Sequence, residues 1–260
     1  MGRNLPDRQR LIELYEQRFR EDGRVRALWL EGADGLGLAD EYSDVDLWLD
    51  ALDEAAEAVL EDAIGLARRI GPLDVLHEIS HQDGKILQAN LHIAGMSPYL
   101  TVDLCVQKHS RVAEGCCIFR SGDMAELPRV LLDRDGIIAL RTPEPLEPSR
   151  LRRLRAEAME TFAQRGRVTK YLARKRYLEA LAHYEEYVLE PLVTLARLLH
   201  TPYHPDYGWT HITRHLPDGL VARLEGLRSH RGLDDLPGLL EAADVLFKEL
   251  NHEFTCRYGG

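Results

Sequence analysis

The sequence contains few cysteines, and none are spaced as metal ligands usually are. Cys105, Cys116, Cys117 and Cys256 are the four cysteines among 260 residues, and no CxxC pair occurs. This pattern excludes a disulfide-stabilised secreted domain and a zinc ribbon as the natural interpretations. It indicates reduced thiols, as expected for a cytoplasmic protein.

Long apolar runs are also missing. No stretch approaches the roughly 20 apolar residues that a membrane-spanning helix needs, and the charged N-terminal segment lacks the apolar core of a signal peptide. We therefore expect a cytoplasmic protein with no membrane association. The sequence leaves open whether the chain is a monomer or a homodimer.

The chain has no excess of positive charge. Its formal net charge is −10; residues 1–141 hold 26 acidic and 16 basic residues, whereas residues 142–260 hold 17 of each. An acidic chain is poorly suited to general nucleic-acid binding, so nucleic acid is not an expected partner. The acidity lies in the same half of the chain as the most informative motif.

That motif occupies the stretch ALWLEGADGLGLADEYSDVDLWLD, residues 27–50. An apolar run at its start predicts a buried strand, and the glycines that follow predict a turn whose backbone N–H groups can bind phosphate. Asp44 and Asp46 are two residues apart, so on a strand both project from one face. Two carboxylates in that position repel each other unless a cation lies between them, and Mg²⁺ suits such oxygen ligands.

A third carboxylate, Asp103, interrupts the β-forming run Leu100–Gln107. A charged residue inside such a run is unexpected unless it has a function. The alternative is an ordinary solvent-facing charge on an edge strand. Asp103 is therefore a third candidate for the metal site.

Hydrophobic periodicity predicts an α+β domain followed by an all-α domain. In residues 1–141 we predict helices at Asp7–Asp22 and Asp53–Ile70, the second with Asp50 or Asp53 as its N-cap. We also predict a sheet of mixed strand direction, with strands that include 73–79, 86–93 and 100–107, and a turn at 82–85. Residues 142–149 (TPEPLEPS) predict a proline-rich linker. Residues 150–260 predict a helical bundle of four or five members, including one long helix at Thr169–His200.

These features together resemble nucleotidyltransferases of the DNA polymerase β superfamily. The two-domain organisation resembles the antibiotic (kanamycin/lincosamide-type) members of that superfamily. The family loop runs roughly Gly-Ser-x-x-Arg-Gly and continues, after a few residues, to Ser-Asp-x-Asp. The residues that match it are Gly32, Gly37, Ser43, Asp44 and Asp46. The third family carboxylate lies on a later strand, where Asp103 matches it.

Two positions depart from the family loop. Ala33 stands where the family has serine, and Leu36 where it has arginine. Loss of the serine hydroxyl would remove a hydrogen bond to the nucleotide phosphates, worth about 1.5–3 kcal/mol when charge-assisted. The backbone N–H of Ala33 is retained, so the turn can still bind phosphate.

The resemblance implies a Mg²⁺-dependent transfer of a nucleoside monophosphate, by family default AMP from ATP, to a hydroxyl group of a small acceptor. Pyrophosphate would be released. The implied metal ligands are Asp44, Asp46 and Asp103, in a two-metal arrangement in which Asp103 either binds the second ion or acts as the base. Gly32, Ala33 and Ser43 are the implied nucleotide-binding residues of the turn.

The most basic stretch, residues 150–176, supplies further candidates. Lys170 and Arg174 lie one helical turn apart and are predicted to contact the triphosphate. For most cations of this stretch a solvated helix face is the alternative. Tyr184, Glu185 and Glu190 are candidates for an acceptor pocket, again with ordinary helix surface as the alternative.

Two other functions stay open. The acceptor could be a protein or RNA hydroxyl, as in toxin–antitoxin nucleotidyltransferases, although the long helical half favours a small-molecule pocket and the net acidity disfavours RNA. Alternatively, Ala33 and Leu36 could mark a non-catalytic nucleotide-binding protein.

Overall fold

The computed structural model describes residues 6–81 and 84–259. The chain forms two compact units, Met1–Pro143 and Glu144–Gly260. The predicted domain limits themselves stay a prediction.

The first unit is built around a six-stranded sheet. Its elements in chain order are α1 (Arg8–Arg20), β1 (Val25–Leu30), α2 (Gly32–Gly35), β2 (Val45–Ala51), α3 (Ala56–Ile70), β3 (Leu73–Ser80), β4 (Ile86–Ile93), β5 (Thr101–Lys108), β6 (Ile118–Arg120), β7 (Arg129–Asp133) and β8 (Ala139–Arg141). The strand order is β3-β4-β5-β2-β1-β7, with β2 and β5 parallel and the other neighbours antiparallel. The predicted sheet of mixed direction is confirmed. The predicted turn at 82–85 lies partly outside the described residues.

Strand β2 separates the core from the polar residues of the motif. Val45, Leu47 and Leu49 are fully buried in one cluster with the apolar residues of α1 and α3. Because side chains alternate along a strand, Asp46 and Trp48 project from the opposite face. The register of the buried face therefore fixes the direction of Asp46, since a shift by one residue would bury the carboxylate in the core.

The predicted N-cap of the second helix is wrong. A 3₁₀ turn at Asp53–Ala55 precedes α3, and no side chain caps the start of either element. Asp50 belongs to β2, where it is buried and accepts hydrogen bonds from His109 and Gln107. The Asp53 carboxylate accepts from the backbone N–H of Ser110 at 2.9 Å. Both carboxylates thus bind the segment after β5 rather than the helix start.

The second unit is entirely helical in its described residues, which confirms the predicted fold class. Its helices are α4 (Pro148–Ala163), α5 (Gly166–Ala173), α6 (Tyr177–Tyr184), α7 (Glu190–His200), α8 (Ile212–His215), α9 (Asp218–Arg228) and α10 (Leu236–Tyr258). Helix α4 begins inside the predicted linker because Pro148 occupies its first turn, where the missing N–H costs nothing.

The single long helix predicted at 169–200 is wrong. The backbone breaks after α5, where Lys175 adopts a left-handed φ of 54°, and α6 starts two residues later. A π-helical turn at Glu185–Leu189 then joins α6 to α7. Pro191 explains its position, because proline has no N–H for a regular helical bond and its ring crowds the preceding turn. Across the described part of the chain, no helix combines the length and apolar character needed to cross a membrane.

Candidate active site

Two of the three predicted carboxylates face each other across the parallel strand pair. Asp46 of β2 and Asp103 of β5 are register partners, so their side chains share one face of the sheet on strands about 4.8 Å apart. Asp44 is exposed and comes just before β2. The structure therefore brings Asp46 and Asp103 together, with Asp44 at the entrance to the same strand.

Asp46 lies in a surplus of negative charge. Burial is the largest cause that raises its pKa to about 7, followed by the charges of Asp44, Asp103, Glu31 and Asp34. Each of these neighbours disfavours the ionised carboxylate. Burial and these four charges therefore all act on the Asp46 pKa in the same direction.

The glycine turn is shaped around the Asp46 carboxylate. It forms the single helical turn α2, in which Gly32 has a φ of +55°, and a Cβ placed on Gly32 would lie 2.0 Å from Oδ2 of Asp46. A Cβ on Gly35 would lie 1.7 Å from the backbone oxygen of Leu127. Only glycine permits both approaches. Gly37 also has a positive φ of +68°, but the space around it is open.

Glu31 is an acidic neighbour that sequence reasoning missed. Its backbone N–H donates to the Asp46 carbonyl at 3.0 Å, and its side chain accepts from Nε1 of Trp29 at 2.8 Å. Burial raises the pKa of Glu31, which the Trp29 hydrogen bond opposes. Its position directly after β1 was the available signal, since that residue must enter the turn beside β2.

Two arginines near the turn were also missed. Arg8 of α1 forms an ion pair with Asp34 and donates to the Asp44 carbonyl, with Nη2 at 2.6 Å from the oxygen. Arg129 of β7 lies 3.4 Å from the other oxygen of Asp34. Asp34 is thus a buried carboxylate with cationic partners, in contrast to Asp46. No local spacing predicts these pairs, because 26 and 95 residues separate the partners.

Gln88 is the third residue that sequence reasoning missed. Its Nε2 lies 2.7 Å from Oδ1 and 2.8 Å from Oδ2 of Asp103. Its Oε1 accepts from Nε2 of His81 at 2.8 Å. Nothing in the sequence singles out a glutamine on a strand, and only the pairing of β4 with β5 brings it to Asp103.

The predicted nucleotide-binding residues of the turn have identifiable local roles. The Ser43 hydroxyl lies 2.9 Å from Oδ1 of Asp40 and accepts from the Asp40 N–H at 2.9 Å. Ala33 lies in the first turn of α2, where backbone N–H groups have no partner within the helix. Their contacts with a nucleotide stay a prediction.

Lys170 and Arg174 lie in the helical unit and contact the same ring. The Lys170 nitrogen is 5.9 Å, and the Arg174 guanidinium carbon 5.7 Å, from the centre of Tyr171. Their predicted role at the triphosphate likewise stays a prediction.

The acceptor-pocket candidates differ in accessibility. Tyr184 is buried and its hydroxyl donates to the Leu227 carbonyl at 2.9 Å, so it serves the core of the bundle. Glu185 pairs with Arg228 at 3.1 Å. Glu190 is exposed and lines a cavity of about 300 Å³. Of the three, Glu190 is the one placed to meet a ligand.

The donor set at Asp46 fits a divalent cation. Within residues 6–81 and 84–259, no three His, Cys, Asp or Glu side chains form a complete metal-ligand group. Mg²⁺ does not require one, because it usually takes one or two carboxylates together with substrate phosphates and water. Asp46 and Asp103 offer hard oxygen ligands on one face, and burial together with the surrounding carboxylates raises the pKa of Asp46.

No family model and no curated protein sequence matches the chain. Solved structures similar to this chain include an aminoglycoside 6-adenyltransferase from Bacillus subtilis, at 16% identity and a TM-score of 0.40, covering 96% of this chain and 91% of that one. A nucleotidyltransferase-like protein from Exiguobacterium sibiricum has 11% identity and a TM-score of 0.35, with 97% and 77% covered. A CCA-adding enzyme in complex with ATP has 12% identity and a TM-score of 0.31, with 96% and 82% covered.

Proposed function

We propose that this chain is a nucleotidyltransferase that moves a nucleoside monophosphate from a nucleoside triphosphate to a hydroxyl group of a small molecule. The family resemblance of residues 27–50 favours ATP as the donor. The two-domain organisation, with a helical second half, favours an aminoglycoside- or lincosamide-like antibiotic as the acceptor. Pyrophosphate is the second product.

One observation carries the proposal: Asp46 and Asp103 are register partners on the one parallel strand pair of the sheet. They share a face, and Asp46 has a pKa raised to about 7 by burial and by surrounding carboxylates. Selection for stability alone would not favour this arrangement, because a half-buried carboxylate among other carboxylates disfavours the folded state once it ionises. Perturbed carboxylates of this kind concentrate at functional sites.

The residues of the chain have distinct proposed roles. Asp44, Asp46 and Asp103 would hold Mg²⁺, which when bound supplies positive charge to the phosphate oxygens. The backbone N–H groups of Gly32 and Ala33 would face the β- and γ-phosphates.

The reaction itself is a single displacement at the α-phosphorus. The acceptor oxygen attacks, a new P–O bond forms, and the bond to the β-phosphate oxygen breaks as pyrophosphate leaves. Asp103 is the proposed base that receives the hydroxyl proton where it does not itself bind the second cation.

The first experiment measures thermal stability with each of the four nucleoside triphosphates, with and without Mg²⁺. A nucleotide at 100 times its Kd adds about 2.7 kcal/mol of stability, which is a measurable shift. At equal concentrations the nucleotide that gives the largest shift identifies the base that the protein prefers. The expected shift requires Mg²⁺, is abolished in Asp46→Asn and is retained in Glu41→Gln. Glu41 is the matched control because it is an exposed carboxylate of the same loop.

The second experiment measures pyrophosphate release with a panel of hydroxylated amino sugars and lincosamides. Nucleotide binding without release in any mixture would contradict an enzyme and favour a binding protein marked by Ala33 and Leu36. Incubation of a cell extract with labelled nucleotide separates the acceptor classes. Label on protein or RNA alone would replace the small-molecule acceptor by the toxin–antitoxin type.

A further inference from the structure

A continuous hydrogen-bonded chain runs from the β3–β4 hairpin to Asp103. The Nε2–H of His81 donates to Oε1 of Gln88, with 2.8 Å between the two atoms. Nε2 of Gln88 then donates to both carboxylate oxygens of Asp103, at 2.7 and 2.8 Å. All three side chains are outside the apolar core of the unit.

The position of Gln88 relative to Asp46 follows from the strand order. Strand β5 lies between β4 and β2, so Gln88 reaches Asp103 from the side opposite to Asp46. The amide therefore holds both oxygens of the Asp103 carboxylate from the β4 side, while Asp46 lies on the neighbouring strand of the other side. Asp46 has no comparable support: within 6–81 and 84–259, no side chain donates a hydrogen bond to its carboxylate.

Because a carboxylate only accepts, Asp103 takes the nitrogen of the Gln88 amide, and Oε1 is left to accept from the Nε2–H tautomer of His81. His81 thus holds the amide in the orientation that Asp103 requires. A flipped amide would place Oε1 against Asp103 and lose both hydrogen bonds. His81 therefore acts on Asp103 only through Gln88.

We propose that Gln88 is a positioning residue for Asp103 in the transfer reaction, and that His81 sets the orientation of Gln88. This inference rests on the proposed function, in which Asp103 binds the cation or receives the acceptor proton. The Gln88 amide stabilises the Asp103 carboxylate by hydrogen bonding and fixes the rotamer of Asp103. Asp103 is then held in place before a cation and substrate arrive.

The test compares Gln88→Met, which keeps the length of the side chain but removes the donor, with His81→Phe and the wild type. Loss of a residue that orients a metal ligand typically costs about 10–100-fold in activity or metal affinity. For Gln88→Met we expect kcat to fall by about that factor, and the half-saturating Mn²⁺ concentration to rise, with the nucleotide KM changed less than about twofold. The loss in His81→Phe should be smaller but have the same pattern.

The control is His77→Ala, an exposed histidine of the same hairpin, and it should match the wild type. Mn²⁺ binding in the presence of a non-hydrolysable nucleotide gives a readout that does not depend on turnover. It should weaken in Gln88→Met and hold in His77→Ala. If Gln88→Met does not fold, His81→Phe carries the test alone.

Two failures are distinguishable. A wild type that binds no nucleotide and no Mn²⁺ overturns the proposed function, and this inference with it. The second failure concerns the inference alone. In that case the wild type binds nucleotide and turns over, but the kcat and Mn²⁺ dependence of Gln88→Met and His81→Phe stay within twofold of the wild-type values. A raised nucleotide KM with an unchanged kcat in Gln88→Met also overturns the inference, because that pattern indicates weakened nucleotide binding and not a misplaced Asp103.

Discussion

Each unit of the molecule holds one conspicuous charge, fully buried at Arg197 and half-buried at Asp46, and the surroundings of the two charges differ. Arg197 of the helical unit is fully buried and donates to Gly208 and Thr201 at 3.0 and 3.3 Å, to His215 at 2.8 Å, and to Thr210. Asp46 of the sheet unit has acidic neighbours, and its pKa is raised to about 7. One charge is satisfied within the fold, and the other is not.

The difference shows that burial of a charge does not by itself identify a functional site. The neighbours of Arg197 are adapted to it: burial and the nearby Arg197 cation lower the pKa of His215 to about 4, so His215 stays neutral and accepts a hydrogen bond. Asp34 is a similar case in the sheet unit, because Arg8 and Arg129 pair with it. Asp46 differs because burial and the neighbouring carboxylates raise its pKa, and the proposed Mg²⁺ would offset those negative charges.

Removal of the Arg197 side-chain charge should have the largest effect on stability. We expect Arg197→Met to lower the free energy of unfolding by about 3–5 kcal/mol, because several buried acceptors lose their donor at once. Urea unfolding followed by far-UV circular dichroism measures it. Arg223→Met is the control, since Arg223 forms an exposed pair with Glu249 and should cost less than about 1 kcal/mol. Equal losses in the two variants would contradict a special role for the Arg197 network.

Neutralisation of Asp46 should stabilise the protein, whereas removal of the Arg197 charge should destabilise it. Because the pKa of Asp46 is raised from 3.8 to about 7 in the folded state, ionisation of this group reduces stability as the pH rises from about 4 through 7. Asp46→Asn removes this loss of stability, because asparagine does not ionise. Without divalent cations, the variant should be more stable than the wild type by a few kcal/mol at about pH 8, and the two should be equally stable near pH 4. The expected readout is a Tm higher by several degrees at the higher pH only.

The control for this prediction is Glu41→Gln in the same buffers with a chelator. Its exposed carboxylate should leave the Tm difference near zero at both pH values. A destabilised Asp46→Asn at about pH 8 would mean that the carboxylate is satisfied in the apo protein. The contrast with Arg197 would then disappear.

The sequence alone predicts those elements whose signal lies in residues that are close together in the chain. The acidic pair, the strands around it and the apolar faces of α1 and α3 all follow from residue periodicity, and the mixed sheet followed by a helical unit is confirmed. The pairing of Asp103 with Asp46 was predicted only through a family resemblance, because 57 residues separate them in the chain. The predicted site residues as a set stay a prediction until a ligand is bound.

The remaining features depend on contacts that no local pattern records. Arg8, Gln88 and Arg129 reach the site through strand pairing and helix packing, so their spacing in sequence carries no signal. The break at Lys175 was missed because its neighbours favour helix and only its positive φ reveals the turn. The N-cap prediction for α3 failed because tertiary partners captured both candidate carboxylates.

The smallest expected effect tests whether the turn is shaped by Asp46 itself. Gly32 and Gly37 both have positive φ, +55° and +68°, but a Cβ meets Asp46 only at Gly32. Each glycine-to-alanine substitution should cost about 1–2 kcal/mol from the backbone conformation alone. Gly32→Ala should cost roughly 1 kcal/mol more, since Asp46 must also move, and it should lose the Mg²⁺-dependent nucleotide shift that Gly37→Ala keeps. Differential scanning fluorimetry with and without nucleotide measures both quantities. Equal behaviour of the two variants would show that Asp46 rearranges without consequence, and the close approach of Gly32 would then be incidental to the site.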